Sequence, residues 1–149
     1  MSKYLLAVDP GLATGVSFFD ITDIDNPLLI HYAEMSIIEF YEKIPVLIED
    51  YAESLQVVCE NFIITIATAK KTPSPWSLNL IGILQYFCWL HEVEFTLQKP
   101  DERKFADDAK IKALGFDFKR KNGHVTESVR HAIVWMVRRN GRLAKKLIS

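Results

Sequence analysis

The sequence predicts one α/β domain on a five-stranded mixed sheet, a three-strand antiparallel meander plus parallel strands, flanked by helices. Three observations carry this. Apolar runs of strand length alternate with runs of helical spacing, the first three strand-like runs are joined by short turns, and the first of them ends on an acid.

Tyr4 to Val8 is an apolar and aromatic run that meets Asp9, followed by Pro10-Gly11. Proline cannot donate to a ladder and glycine admits positive φ, so the strand should end at Asp9 and present that carboxylate at its C-terminal edge. Thr14-Gly15 opens a second apolar run reaching Phe19, which completes a hairpin. After the turn-rich Asp23-Ile24-Asp25-Asn26-Pro27, a third strand is expected from Leu28 to Met35, closing the meander. Ile37, Phe40, Tyr41, Ile44, Leu47, Ile48 and Tyr51 then recur at helical spacing, with Glu39, Glu42, Glu49 and Glu53 opposite them. Pro45 should kink or restart that helix.

A fourth strand, Leu55 to Phe62, carries Glu60 within an otherwise buried pattern. An ionised glutamate there needs a cation, a hydrogen-bond partner or water, and a metal ion or a salt bridge to lysine would each suffice. Thr65 to Pro75 reads as a loop holding Lys70-Lys71. The helix expected from Trp76 to His91 is apolar on nearly every face, more than one sheet can bury. Its outer side, with Ile83 and Phe87 placed there, is expected to be a subunit interface; cover by the C-terminal segment is the alternative. A fifth strand spans Val93 to Leu97. A helix from Asp101 to Leu114 stops at Gly115, and Asn122-Gly123 turns into a last helix from about His124 to Asn140. Val125, Val129, Ala132, Ile133 and Met136 form its core stripe, while His124, Glu127 and His131 lie on a neighbouring face. A histidine and an acid one turn apart at a helix start can share a metal ion, although the helix dipole alone also favours an acid there.

With 149 residues, 49% of them hydrophobic, the chain can bury one core and has no room for a second domain of that kind. The two cysteines, Cys59 and Cys88, sit inside apolar runs, as reduced core thiols do. No run is apolar enough to suggest a secretory segment or a membrane span, so a cytoplasmic protein without membrane contact is expected. The net charge of −1 hides an asymmetry: residues 1–100 carry −8 and residues 101–149 carry +7. Lys119-Arg120-Lys121, Arg138-Arg139, Arg142 and Lys145-Lys146, with Lys70 and Lys71, could neutralise a phosphate backbone. The same charges could equally be a solvated surface balancing the acidic part.

Taken together, Asp9 in Asp-Pro-Gly-x-x-Thr-Gly, Glu60 on the fourth strand and His124-x-x-Glu127 opening the last helix resemble the RuvC-type Holliday junction resolvases of the RNase H-like superfamily. The opening motif alone also resembles the actin-like and sugar-kinase ATPases, whose two closing domains this length does not accommodate. The resemblance spans nearly the whole chain and points to a small, phage-like member. It implies an RNase H-like fold with Asp9, Glu60, His124 and Glu127 as catalytic ligands of two Mg²⁺ ions, with Mn²⁺ able to substitute. It further implies a DNA endonuclease resolving four-way junctions and leaving 5′-phosphates, a homodimer with branched DNA as its partner, and a bacterial host cytoplasm if the chain is phage-encoded. DNA contacts are expected from Lys70, Lys71, Lys119, Arg120 and Lys121. The departures are a loop from Asp9 to Gly15 that is one residue shorter than in typical bacterial members, and a shortened segment from Pro100 to Glu127. Glu127 also stands where the family usually has Asp, and Ile63 where bacterial members often carry a base-stacking aromatic, with Phe62 adjacent. Two alternatives stay open: an RNase H-like nuclease acting on flaps, forks or RNA–DNA hybrids, and an inactive branched-DNA-binding protein.

Overall fold

Strand β1 (Tyr4–Asp9) is the axis of the molecule, and alternation along it divides the core in two. The computed structural model describes residues 1–63, 66, 76–118 and 123–148. Strand β2 (Ala13–Asp20) pairs antiparallel with β1, and β3 (Leu28–Ser36) antiparallel with β2. On the other side of β1 lie β4 (Leu55–Glu60) and then β5 (Glu94–Gln98), both parallel, giving the order β3-β2-β1-β4-β5. This is the expected mixed sheet with its antiparallel meander.

Leu6 and Val8 of β1, Val16 and Phe18 of β2, and Val57 and Cys59 of β4 face helices α1 (Ile37–Tyr51) and α2 (Trp76–Leu90). Leu5, Ala7, Phe19 and Val58 face the opposite way. They pack on the buried stripe Val125, Val129, Ala132, Ile133 and Met136, which belongs to the long helix Gly123–Arg139. Both cysteines are free thiols in the first of these cores, and burial pushes Cys88 up to about 12. No helix among the described residues is long and apolar enough to cross a membrane.

Four local expectations need correction. Helix α1, opened by a Ser36–Glu39 capping box, runs through Pro45 as one element and does not restart there, since a single proline removes only one backbone N–H from the ladder. The segment expected as one helix from Asp101 to Leu114 is a 3₁₀ turn (Pro100–Phe105) followed by α3 (Asp108–Ala113). Asp107 separates them because its side chain accepts from the Lys110 N–H and starts a new helix. Gly115 does end α3: at φ 73° it donates to Lys112 O while Phe116 donates to Ile111 O, the paired bonds of a Schellman cap. Asn140 closes α4 (Gly123–Arg139), yet its Oδ1 also accepts from the Arg142 and Leu143 amides and so opens α5 (Gly141–Ile148), a helix absent from the sequence reading. Lastly, Ile83 and Phe87 are half-buried against the core; the exposed apolar side chains of α2 include Trp89, Tyr86 and Leu90.

Candidate active site

The pleat brings the acids together. Val8 and Cys59 are register partners on parallel neighbours, so the next residues, Asp9 and Glu60, end their strands side by side. Asp9 follows Ala7 and Leu5 in parity, and Glu60 follows Val58; both therefore project to the α4 side of the sheet. Helix α4 reaches the same spot because Gly15, the register partner of Asp9, has no side chain. A Cβ on Gly15 would stand 1.9 Å from the His124 carbonyl oxygen and 2.6 Å from the Val125 nitrogen. Two residues beyond Gly15, Ser17 Oγ lies 2.9 Å from Ser128 Oγ, which also donates to Val125 O (2.7 Å), and this fully buried pair pins the helix to β2. Thr14 closes the intervening loop by donating to Gly11 O at 3.1 Å and accepting from Gly11 N at 3.3 Å. Ser77 at the start of α2 donates to Pro10 O at 2.8 Å.

His124 Nδ1 lies 3.3 Å from Asp9 Oδ2. Glu60 Oε1 accepts from Arg103 Nη1 at 3.0 Å, and the Nε of the same guanidinium meets Glu127 Oε2. Glu127 Oε1 is also 3.8 Å from Arg130 Nε. His131, fully buried, faces Glu60 Oε2 across 3.2 Å without the alignment of a hydrogen bond, while its Nδ1 bonds Gln98 Oε1 at 2.8 Å. Gln98 is the register partner of Glu60 on β5. Thus β1, β4, β5, the 3₁₀ turn and α4 all deliver polar side chains to one point at the C-terminal edge of the sheet.

These acids cannot all ionise freely at such range. Burial, the Glu60 charge, the hydrogen bond with Glu60 and the Glu127 charge together push Asp9 to about 9, against a smaller pull from Arg103. Burial also opposes ionisation of Glu60. The His131 contact, the hydrogen bond from Asp9 and the electrostatic influence of the His131 and Arg103 side chains outweigh it and hold that carboxyl below its usual range. The pair therefore titrates as a unit, with the proton on Asp9. Crowded oxygen donors with a protonated member, and a buried Glu60 Oε2 lacking a hydrogen bond, suit a hard divalent cation. Among the described residues, however, no three His, Cys, Asp or Glu side chains are gathered as a metal cluster; the guanidinium of Arg103 sits between Glu60 and Glu127.

Neither a protein-family model nor a curated protein matches the sequence. Solved structures do. Thermus thermophilus RuvC in complex with a Holliday junction substrate aligns over 93% of this chain and 96% of its own, with TM-score 0.65 at 15% identity. The fowlpox virus Holliday junction resolvase aligns over 89% of this chain and 97% of its own, with TM-score 0.59 at 14% identity. The chain shares the fold of RuvC.

Within that RuvC-type fold the sequence reading missed Arg103, Arg130 and Gln98. Gln98 left one signal, a polar residue at the end of the strand next to Glu60. Arg103 left none, because its partner Glu60 is 43 residues away in sequence. The expected DNA-contacting residues Lys70, Lys71, Lys119, Arg120 and Lys121 lie outside the described residues. Several other basic residues of the C-terminal third are paired with acids: Arg138 with Glu102 (3.3 Å), Arg139 with Glu94 (3.1 Å) and Arg142 with Asp25 (3.6 Å). Phe62 is half-buried against the core and Ile63 is exposed, and both line an open cleft of about 250 Å³ with Asp9, Glu60 and Arg103.

Proposed function

We propose that this chain is a single-domain DNA endonuclease that resolves four-way junctions by metal-dependent phosphodiester hydrolysis, working as a homodimer on branched DNA. The observation that carries the reading is that Asp9 beside His124, and Glu60 linked through Arg103 to Glu127, stand at one edge of a RuvC-type sheet. Both resolvases aligned above have structures described with Holliday junction DNA.

Asp9, Glu60, His124 and Glu127 would hold the divalent cations. Mg²⁺, or Mn²⁺ in its place, supplies when bound an activated water and neutralisation of charge developing on the phosphate. The residues do the positioning. Asp9 and Glu60 are fixed by the two central parallel strands, and His131 with Gln98 orients Glu60 from below. His124 projects from the first turn of α4 and Glu127 from the turn after it, and the approach of that helix depends on Gly15. Beside them lies a cleft of about 590 Å³ lined by Arg103, Lys104 and Arg130 together with Asp107, Asp108 and Glu127, and its three basic side chains would be the ones to contact a phosphate backbone.

The deciding experiment is cleavage of a labelled synthetic four-way junction beside linear duplex, flap and RNA–DNA hybrid, with and without Mg²⁺. Paired, Mg²⁺-dependent nicks confined to the junction are the expected result. Preferred cutting of flaps or hybrids would replace it with the other nuclease reading, and junction binding without any cleavage would leave a DNA-binding protein.

A further inference from the structure

Arg103 stands where a cation is needed. Its Nη1 contacts Glu60 Oε1 at 3.0 Å, its Nε contacts Glu127 Oε2, and Nη1 also donates to Pro100 O at 2.7 Å, so the fork is anchored on its own 3₁₀ turn. A guanidinium spans two carboxylates in this way with separate N–H groups of one rigid fork. The oxygens it engages belong to two of the four proposed metal-holding residues. Its positive charge therefore opposes a divalent cation at Glu60 and Glu127, both by occupying donors and by repulsion at close range.

Arg103 is also a wall shared by two clefts. One contains Asp9 and Glu60; the other contains Lys104, Glu127 and Arg130, with Asp107 and Asp108 also on its wall. A phosphate lying in the second cleft meets Arg103 and Arg130 together. Arg130 is held in place by Ala106 O and by Asp108 Oδ1 at 2.7 Å, and the Arg103 side chain, about one-third exposed, is within reach of a phosphate from solvent.

The geometry points to Arg103 as a resident counter-cation that competes with the divalent ion for Glu60 and Glu127 until a DNA phosphate draws it away. Metal loading and DNA binding are thereby coupled, and by linkage each strengthens the other equally. The protein without DNA binds metal weakly, and the site completes itself only on substrate. This rests on the reading of the four side chains as a metal centre.

The test reads metal binding, not cleavage. Mn²⁺ is titrated by electron paramagnetic resonance into wild type and Arg103→Gln, first without DNA and then with a four-way junction whose linkages are made non-cleavable. Without DNA the variant should bind Mn²⁺ at least tenfold more tightly than wild type. Adding the junction should tighten wild type markedly and the variant little. Equal Mn²⁺ affinity in wild type and a folded variant, with Mn²⁺ bound by both, overturns the role of Arg103 and leaves the metal centre standing. No Mn²⁺ bound by either protein, with or without junction, overturns the metal centre itself and the competition with it. If Arg103→Gln does not fold, Arg103→Met keeps the apolar stem and removes both charge and donors; tighter Mn²⁺ binding supports the competition, and unchanged binding overturns it.

Discussion

Glu60 is the residue on which most of the local chemistry bears, since Asp9, Arg103, His131 and through it Gln98 are arranged around its two oxygens. Glu60→Gln preserves shape and removes the charge. Cleavage should fall by more than the roughly 10- to 100-fold that loss of a ligand's supporting partner costs, while junction binding in a gel shift survives; normal cleavage by this variant would remove Glu60 from the site. A second expectation concerns Asp9 in the metal-free protein. Its carboxyl is raised from 3.8 to about 9 in the fold, chiefly by burial, so between those values the folded state keeps a proton that the unfolded chain has lost. Stability from this group therefore declines as pH rises through that window. In chelator, Asp9→Asn should melt higher than wild type, with the difference growing toward alkaline pH; identical melting curves across pH would contradict the crowding of charge at Asp9. Both acids were legible in the sequence because a carboxylate interrupting or ending an apolar strand is conspicuous. Arg103 was not, since what matters is where the turn after β5 places it, and no local pattern encodes that.

Among the elements, the β1–β2 hairpin and α4 act as one device. Gly15 lets the helix start descend onto the sheet, Ser17 and Ser128 lock the contact, and Asp9 is thereby brought within 3.3 Å of His124. Gly15→Ala places a methyl into the His124 backbone, so the helix start must shift. A loss of about 1–3 kcal/mol in stability is expected from such overpacking, with cleavage reduced more than the change in melting temperature explains. An alanine variant with wild-type rate and melting would show that α4 does not depend on this approach. The elements themselves were legible wherever periodicity ran long: the meander, α1, β4 and the core stripe of α4 all stand where the apolar spacing put them. The failures lie at side-chain caps. Asp107 divides a segment that looks continuous, and Asn140 both stops one helix and starts another of only eight residues, in which Leu143 and Leu147 give a single i, i+4 apolar pair, too short a pattern to mark a separate element.

For the whole molecule the question is what covers α2 and what the uneven charge does. Much of the described basic charge after residue 100 is spent on acids, as in Arg139–Glu94 and Arg142–Asp25, which supports the bland reading for those positions. Lys119, Arg120 and Lys121 remain proposed DNA contacts. Replacing all three with alanine should flatten the dependence of junction affinity on salt by about 0.9 in slope per lost phosphate contact, and an unchanged slope would move the DNA surface to other residues. Assembly is the last expectation. Helix α2 buries Leu80, Ile81, Leu84 and Cys88 and leaves Tyr86, Trp89 and Leu90 at 54%, 75% and 48% exposure. Tyr86, Trp89 and Leu90 are spaced at i, i+3 and i+4 and share one side of the helix, which makes an apolar patch suited to a self-complementary contact about a twofold axis. A four-way junction presents two strands for symmetric cuts, so two sites related in this way would nick both strands in one binding event. Sedimentation at micromolar concentration should therefore show a species of two 17.1 kDa chains. Trp89→Glu should convert it to one chain and replace paired nicks with isolated single ones, whereas Ile83→Val, at a half-buried position facing the core, should leave the assembly intact. A wild-type protein that sediments only as a monomer would rule out this surface as a homodimer interface.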